Sequence, residues 1–256
     1  MNDDLIKAHL NLYAVLQNLE DLVQLDAKMT QLTTDWDISI QFSVRNGPAA
    51  HIAFQGGGCT HGVGQHPKPA VKLFFTSPKH LNDMFAGTAS PIPLKGFTRL
   101  GFLKSEFPKL TDRLSFYLKP AEQAAEAITG APYRKISTIL TLHTAAYAVK
   151  VLAQLEPASQ QIAASIPTGA LELSVLPDGP HAHVVFNGRS VSAGKTPVER
   201  PMAKMLFRDL DAANDLLSGR VDSFRAVAQG DTMLRGQIPI IDGVGLILDR
   251  IGQYLA

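Results

Sequence analysis

Gly47-Pro48-Ala49-Ala50-His51-Ile52-Ala53-Phe54-Gln55-Gly56 is answered, 132 positions later, by Gly179-Pro180-His181-Ala182-His183-Val184-Val185-Phe186-Asn187-Gly188. The same offset relates Lys72 to Lys204, Phe75 to Phe207, Asn82-Asp83 to Asn214-Asp215 and Gly87 to Gly219. From Gly47 to Gly87, 13 of 41 positions are identical, where chance gives roughly two or three at average residue usage. Most other positions exchange like for like, as Ile52 for Val184 and Leu73 for Met205. Self-similarity at a fixed period is the signature of a repeated structural unit. The chain therefore reads as a tandem duplication, with one unit at 1–130 and a second at 131–256.

Beyond Gly87 the register slips. Leu94-Lys95-Gly96 matches Leu234-Arg235-Gly236 at an offset of 140, and Asp112-Arg113 and Tyr117-Leu118 match Asp249-Arg250 and Tyr254-Leu255 at 137. Length changes of this kind belong in connections, which tolerate them as cores do not.

Each unit opens with a helix, marked by Leu5, Leu12, Leu16, Leu19 and Val23 in the first and by Ile136, Leu140, Tyr147, Val151 and Leu155 in the second. A hairpin follows. Trp36, Ile38, Ile40, Phe42 and Val44 alternate up to Asn46-Gly47, and Leu171, Leu173 and Val175 alternate up to Asp178-Gly179. These dipeptides signal tight turns because both residues can take positive φ. Glycine-rich segments and strands at 70–75 and 203–207 come next. Short helices then start at Ser77 or Asp209 and stop at Gly87 or Gly219. The second unit inserts a further helical turn at 222–228 before the strand 232–235, and each unit closes with an apolar helix. The predicted fold is α+β: two repeats, each a mostly antiparallel five-stranded sheet covered by helices.

The bulk properties agree with a packed core. The 256 residues are 45% hydrophobic and 18% charged, and the net charge of +1 gives no electrostatic footprint for nucleic acid. The acidic start, Met1-Asn2-Asp3-Asp4, is not that of a secretory signal. The uncharged stretch 136–149 is shorter than the ~20 residues of a spanning helix. A single cysteine, Cys59, allows no intrachain disulfide. A cytoplasmic location is the expectation.

In the second unit Ala203-Lys204-Met205-Leu206-Phe207, then Asp211–Leu217, Ser218-Gly219-Arg220, Phe224–Gly230 and Met233-Leu234-Arg235-Gly236 resemble the sterol carrier protein type-two domain. The resemblance is best over Leu171–Leu248 and more distant over Trp36–Leu118, where the short helix is missing. It implies a five-stranded sheet with helices over one face and an apolar tunnel for fatty acyl chains, sterols or related lipids. Phe186, Met205, Phe207, Leu216, Leu217, Phe224, Val227, Met233 and Leu246 are the candidate lining residues. A solid core produces the same pattern, so both readings stay open. Lys72 and Lys204, at matching strand positions, suit either a sheet edge or a carboxylate or phosphate head group.

No catalytic, cofactor or metal motif competes. Cys59, His61 and His66 lack the third or fourth ligand at zinc spacing, and the second unit has Val191 and Ala193 at the first two places. Gly194-Lys195-Thr196 fails as a phosphate loop: five residues separate Gly188 from Gly194 where four are needed, and Pro197 follows. His51 and His183 fall on the polar face of their strands. The expectation is non-enzymatic binding or transport of a lipid or other apolar small molecule, with no cofactor, no metal and no nucleic acid. Transient membrane contact and a protein partner are further expectations. The alternative is a structural or protein-interaction module, a fused pseudo-dimer accessory to a lipid or isoprenoid pathway.

Overall fold

The computed structural model describes residues 3–118 and 130–255. The chain divides into two compact units, Met1–Phe116 and Tyr117–Ala256. The expected boundary at residue 130 adjoins residues 119–129, which lie outside the described residues.

The first unit starts with one nearly continuous helical run: α1 (Asp3–Leu10), a wide π turn (Asn11–Val15), a 3-10 turn (Leu16–Asn18) and α2 (Leu19–Leu25). Leu12, Leu16, Leu19 and Val23 are buried and Leu5 is half-buried. After α3 (Ala27–Thr33) come β1 (Ile38–Val44), β2 (Ala49–Gln55), β3 (Gly58–Val63), β4 (Val71–Phe75), α4 (Pro78–Phe85), β5 (Ile92–Lys95), α5 (Leu100–Ser105) and α6 (Phe107–Leu118).

The second unit repeats this order. It holds α7 (Ala131–Leu155), α8 (Pro157–Ser165), β6 (Gly169–Val175), β7 (His181–Asn187), β8 (Ser190–Gly194), β9 (Ala203–Phe207), α9 (Leu210–Leu217), α10 (Ser223–Ala228), β10 (Thr232–Gly236) and α11 (Ile238–Leu255). Helix α7 is long and apolar enough to cross a bilayer, yet most of its apolar window is buried within the protein, where it packs on β7, β8, α8, α9 and α11.

The sheets run β3-β2-β1-β4-β5 and β10-β9-β6-β7-β8. They are mixed. β1 is parallel to β4 and β6 to β9, while the other neighbours are antiparallel. Alternation in a sequence reports which face a side chain takes but not the direction of its strand. Because β3 is an edge strand and β4 pairs on the far side of β1, residues 64–70 cross the sheet as a strap, and residues 195–202 do the same in the second unit. A seven-residue strap reaches ~20–25 Å only when nearly extended, so its backbone groups must be satisfied by the sheet beneath.

Side chains of the central strands do this. The Gln41 carboxamide oxygen accepts from the His66 amide (2.6 Å), and its nitrogen donates to the Phe42, Ala50 and Gly64 carbonyls. In the second unit the Glu172 carboxylate accepts from the Val198 amide (2.8 Å). The repeated histidines serve the same strap: His51 lies against the Gly64 carbonyl (3.4 Å) and His183 against that of Thr196 (2.7 Å). Their rings cover Gly62 and Gly194, the facing residues on the next strand, where a Cβ would collide with the imidazole.

The hairpins form where expected, with different turns. Three residues, 45–47, lie between Val44 and Pro48, and only Asn46 takes positive φ (56°). Four residues, 176–179, take their place in the second unit. The proline after each glycine restricts that glycine toward extended backbone, which removes the turn having both residues at positive φ. The short helices follow their punctuation: Ser77 and Asp209 accept from the His80 and Ala212 amides, and Gly87 and Gly219 end them at φ 74° and 71°. The repeated Asn82 and Asn214 are buried and bond to the first helix of their unit, at the Asp4 carbonyl and the Thr138 hydroxyl.

The closing helices differ. The second, α11, is continuous, whereas the first breaks at Glu106 into α5 and α6. Pro108 has no amide hydrogen to continue the ladder across that point. Each nevertheless brings one arginine to a buried carboxylate at the junction of the unit's opening helices. Arg113 donates to Asp26 (2.6 Å), which also caps α3, and Arg250 donates through Nε to Glu156 (2.6 and 2.8 Å). Glu156 also accepts from the Ser159 hydroxyl and from Tyr254 (2.9 Å).

Hydrogen bonding from Arg250, opposed by burial and aided by Ser159 and Tyr254, holds the Glu156 carboxyl down at about 2, against an ordinary 4.5. A depressed carboxylate contributes stability above its unfolded value, and that contribution is lost as pH falls from about 4.5 to 2. Arg250→Ala is expected to cost the second unit about 3 kcal/mol at neutral pH. It should also flatten the acid limb of a stability-versus-pH curve measured by urea unfolding.

Candidate functional site

In the second unit Leu171, Leu173 and Val175 of β6, with Ala182, Val184 and Phe186 of β7, form the buried face beneath the helices. The register carries this face onto β9 through Leu173↔Met205 and Val175↔Phe207, and onto β10 through Met205↔Leu234. Phe186 and Phe207 are fully buried core residues. Met205 is half-buried, and its cross-strand partner Leu234 is 37% exposed. Leu216 and Leu217, half-buried, end α9, which packs on β9. Phe224 and Val227 share one face of α10, which packs on β10, and both are exposed, Phe224 to 88%. The helix side of β9 and β10 therefore carries apolar side chains that the unit's own core leaves uncovered.

Two of the nine candidate lining residues lie apart from this surface. Met233 pairs with Leu206 and so occupies the opposite face of the sheet. Leu246 lies on the outward stripe of α11 with Asp242 and Asp249, and is exposed.

The first unit places an aromatic cluster on the helix side of its sheet, over β2 rather than over β4 and β5. Trp36 meets Phe54 and Phe102 edge to face (5.0 and 4.7 Å between ring centroids), and Phe107 adjoins Phe102. Phe102 reaches Trp36 from α5, the segment created by the break in the closing helix. Ile92, Leu94 and Phe97 remain exposed at its edge.

Cys59 and His61 have structural surroundings. Both belong to β3 and face the helices, opposite Phe54 and Ile52 of β2. Cys59 is buried. The His61 ring, through Nε2, bonds the Leu12 carbonyl (2.8 Å) inside the π turn, and the His61 amide donates to Glu20 (2.7 Å). A π turn displaces the ordinary ladder, and the histidine takes up a carbonyl there. His66 instead packs on His51 (5.0 Å) on the other face of the sheet. Among the described residues no group of three or more His, Cys, Asp or Glu is placed to hold a metal.

The face away from the helices carries a cleft of about 500 Å³, bounded by Leu176 and Pro177 of the hairpin, Pro201 and Met202 of the strap, and Leu206. Glu172, Ser174, His181, Lys204 and Arg235 supply its polar groups. Glu172 and Lys204 face each other across β6 and β9 (3.6 Å), and Lys204 and Arg235 across β9 and β10. Sequence reading passed over Glu172. The signal was a charge in the middle of an apolar strand, where the first unit has Gln41.

The fold and the helix-side surface together define a tandem α+β protein with apolar side chains exposed beside its second sheet. No family model and no curated protein matches the sequence. Solved structures similar to it include sterol carrier protein domains. A crystal structure of sterol carrier protein 2 is 19% identical and covers 41% of this chain and 91% of its own (TM-score 0.33). The sterol carrier protein domain 2 of Helicoverpa armigera is 13% identical over 45% and 91% (TM-score 0.34). A ubiquinone synthesis protein, UbiJ-SCP2, is 13% identical over 40% and 86% (TM-score 0.32). The likeness is one of fold.

Replacing His61 by alanine removes its bond to the carbonyl of the buried Leu12. His61→Ala is expected to lower the stability of the first unit by about 1–3 kcal/mol in urea unfolding. Added zinc should leave the wild-type transition where it is.

Proposed function

We propose that the protein binds an apolar ligand, a fatty acid, sterol-like molecule or other lipid, on the helix side of its second sheet, and that it does so without catalysing a reaction. The observation that carries this reading is the uncovered surface of Met205, Leu217, Phe224, Val227 and Leu234, on a unit whose other large apolar side chains are mostly packed. An exposed apolar patch of sufficient size marks a binding site on a folded protein, and α10, which carries Phe224 and Val227, packs on the strand of Leu234. The resemblance of 203–236 to the sterol carrier pattern supports the same choice of ligand.

Magnitudes are sufficient. Burying each CH₂ contributes ~0.8 kcal/mol, so a 16-carbon chain gains on the order of 12 kcal/mol gross. Lost translational freedom and ordering offset several kcal/mol of this, leaving roughly micromolar to nanomolar affinity. Methionine, flexible and polarisable, suits a site that accepts varied shapes. The second unit is the binder in this reading, since the resemblance is best there and Leu73, the first unit's counterpart of the half-buried Met205, is buried.

Uptake of a fluorescent fatty acid by the intact chain is the test. Saturable binding at one site is expected, weakened about tenfold or more by Met205→Trp and by Leu234→Glu, with thermal melts unchanged. Leu94→Glu in the first unit should have little effect. Absence of uptake, or uptake indifferent to both second-unit variants, overturns the reading.

A further inference from the structure

On the opposite face of the second sheet, the polar floor of the cleft has a charge pattern that the first unit lacks. Equivalent strand positions hold Gln41, Ala49 and Lys95 in the first unit and Glu172, His181 and Arg235 in the second. In the first unit the Lys95 amine is spent on the Pro69 carbonyl (2.5 Å), and Gln41 is neutral. In the second, both Glu172 oxygens are engaged, one by the Val198 amide and the other by Ser174 (3.2 Å) and Lys204 (3.6 Å). Glu172 thus offsets Lys204, with the His181 imidazole also close to the same oxygen (3.9 Å) and joined to it through Ser174. Arg235, exposed and directly opposite Lys204 across the strand pair, has no ion-pair or hydrogen-bond partner among the described residues.

Like charges set opposite each other on neighbouring strands are destabilising, and here the pair sits at the rim of a concave site. A single negative charge between them removes that repulsion and matches the one cationic charge left over. A carboxylate fits the planar fork of an arginine with two parallel hydrogen bonds. The walls beside it, Pro177, Pro201, Met202 and Leu206, are apolar, and a cleft of about 500 Å³ lies in the size range of small-molecule sites.

We propose that this cleft binds a small organic carboxylate with an apolar body, its acid group held between Lys204 and Arg235. The site is separate from the helix-side surface, because the two lie on opposite faces of one sheet.

Benzoate, too short to act as a lipid chain, is the probe. It would be titrated into the intact chain with amide chemical shifts followed by nuclear magnetic resonance, alongside benzyl alcohol, phenyl phosphate and inorganic phosphate. The proposal expects saturable shifts at Lys204, Arg235 and Gly236 with benzoate and none with benzyl alcohol. Arg235→Ala, a surface change that spares Glu172, should weaken benzoate at least tenfold, and Arg235→Lys should restore part of the loss. Met205→Trp, on the helix side, should leave benzoate binding intact even where it abolishes fatty-acid uptake. Benzoate binding unaffected by Arg235→Ala, or lost with Met205→Trp alone, overturns the proposal. So does inorganic phosphate shifting the same amides as tightly as benzoate, since that describes a plain phosphate site.

Discussion

A strap without secondary structure must cross each sheet, and much of the architecture follows from that. Placing β4 parallel to β1, and β9 parallel to β6, obliges the chain to return over the face away from the helices. Bare backbone on a sheet surface has to be hydrogen-bonded. Gln41 and Glu172 meet this demand from the middle of the central strands, and His51 and His183 meet it from the strands beside them. Glycine then recurs at 62 and 194 because an imidazole occupies the space a side chain would need. Residues that look like candidate chemistry in a linear reading, repeated histidines above all, are thus accounted for by one crossing.

The two units satisfy the same constraint with different groups, and the difference propagates. A carboxamide in the first can serve the strap from both its ends. A carboxylate in the second can only accept, so it calls for positive charge nearby, and Lys204 lies at its side. On the helix side the units diverge again. The first interrupts its closing helix near Pro108 and turns Phe102 onto Trp36, whereas the second keeps one long helix and adds α10. Over the equivalent strands, Leu73 is buried where its counterpart Met205 is half-buried.

Most of the element order was legible in the sequence, because it rests on local signals. The Ser77 and Asp209 caps, the stops at Gly87 and Gly219 and the alternation of β1 and β6 all act within a few residues. The inserted helix of the second unit was visible as an extra stretch between Gly219 and Leu234. Strand direction was not visible, since Val71–Phe75 shows the same alternation whether it runs parallel or antiparallel to β1. Pairs such as Asp26 with Arg113 and Glu156 with Arg250 were also out of reach, because nothing local ties residues so far apart in one chain. At the candidate site, the apolar character of Met205, Leu217 and Phe224 was readable. The opposite placement of Met233 needed the register of β9 against β10.

The arginine latches bear on how the protein comes into being. Each unit's buried carboxylate sits near its beginning, and the cation that neutralises it arrives with its final helix. During synthesis, Asp26 waits for Arg113 and Glu156 waits for Arg250, so neither unit can lock before its last segment has been made. Domains form as units with the N-terminal one first. The first unit is therefore complete on its own terms while the ribosome is still building the second, and two related folds are separated in time before they share one chain.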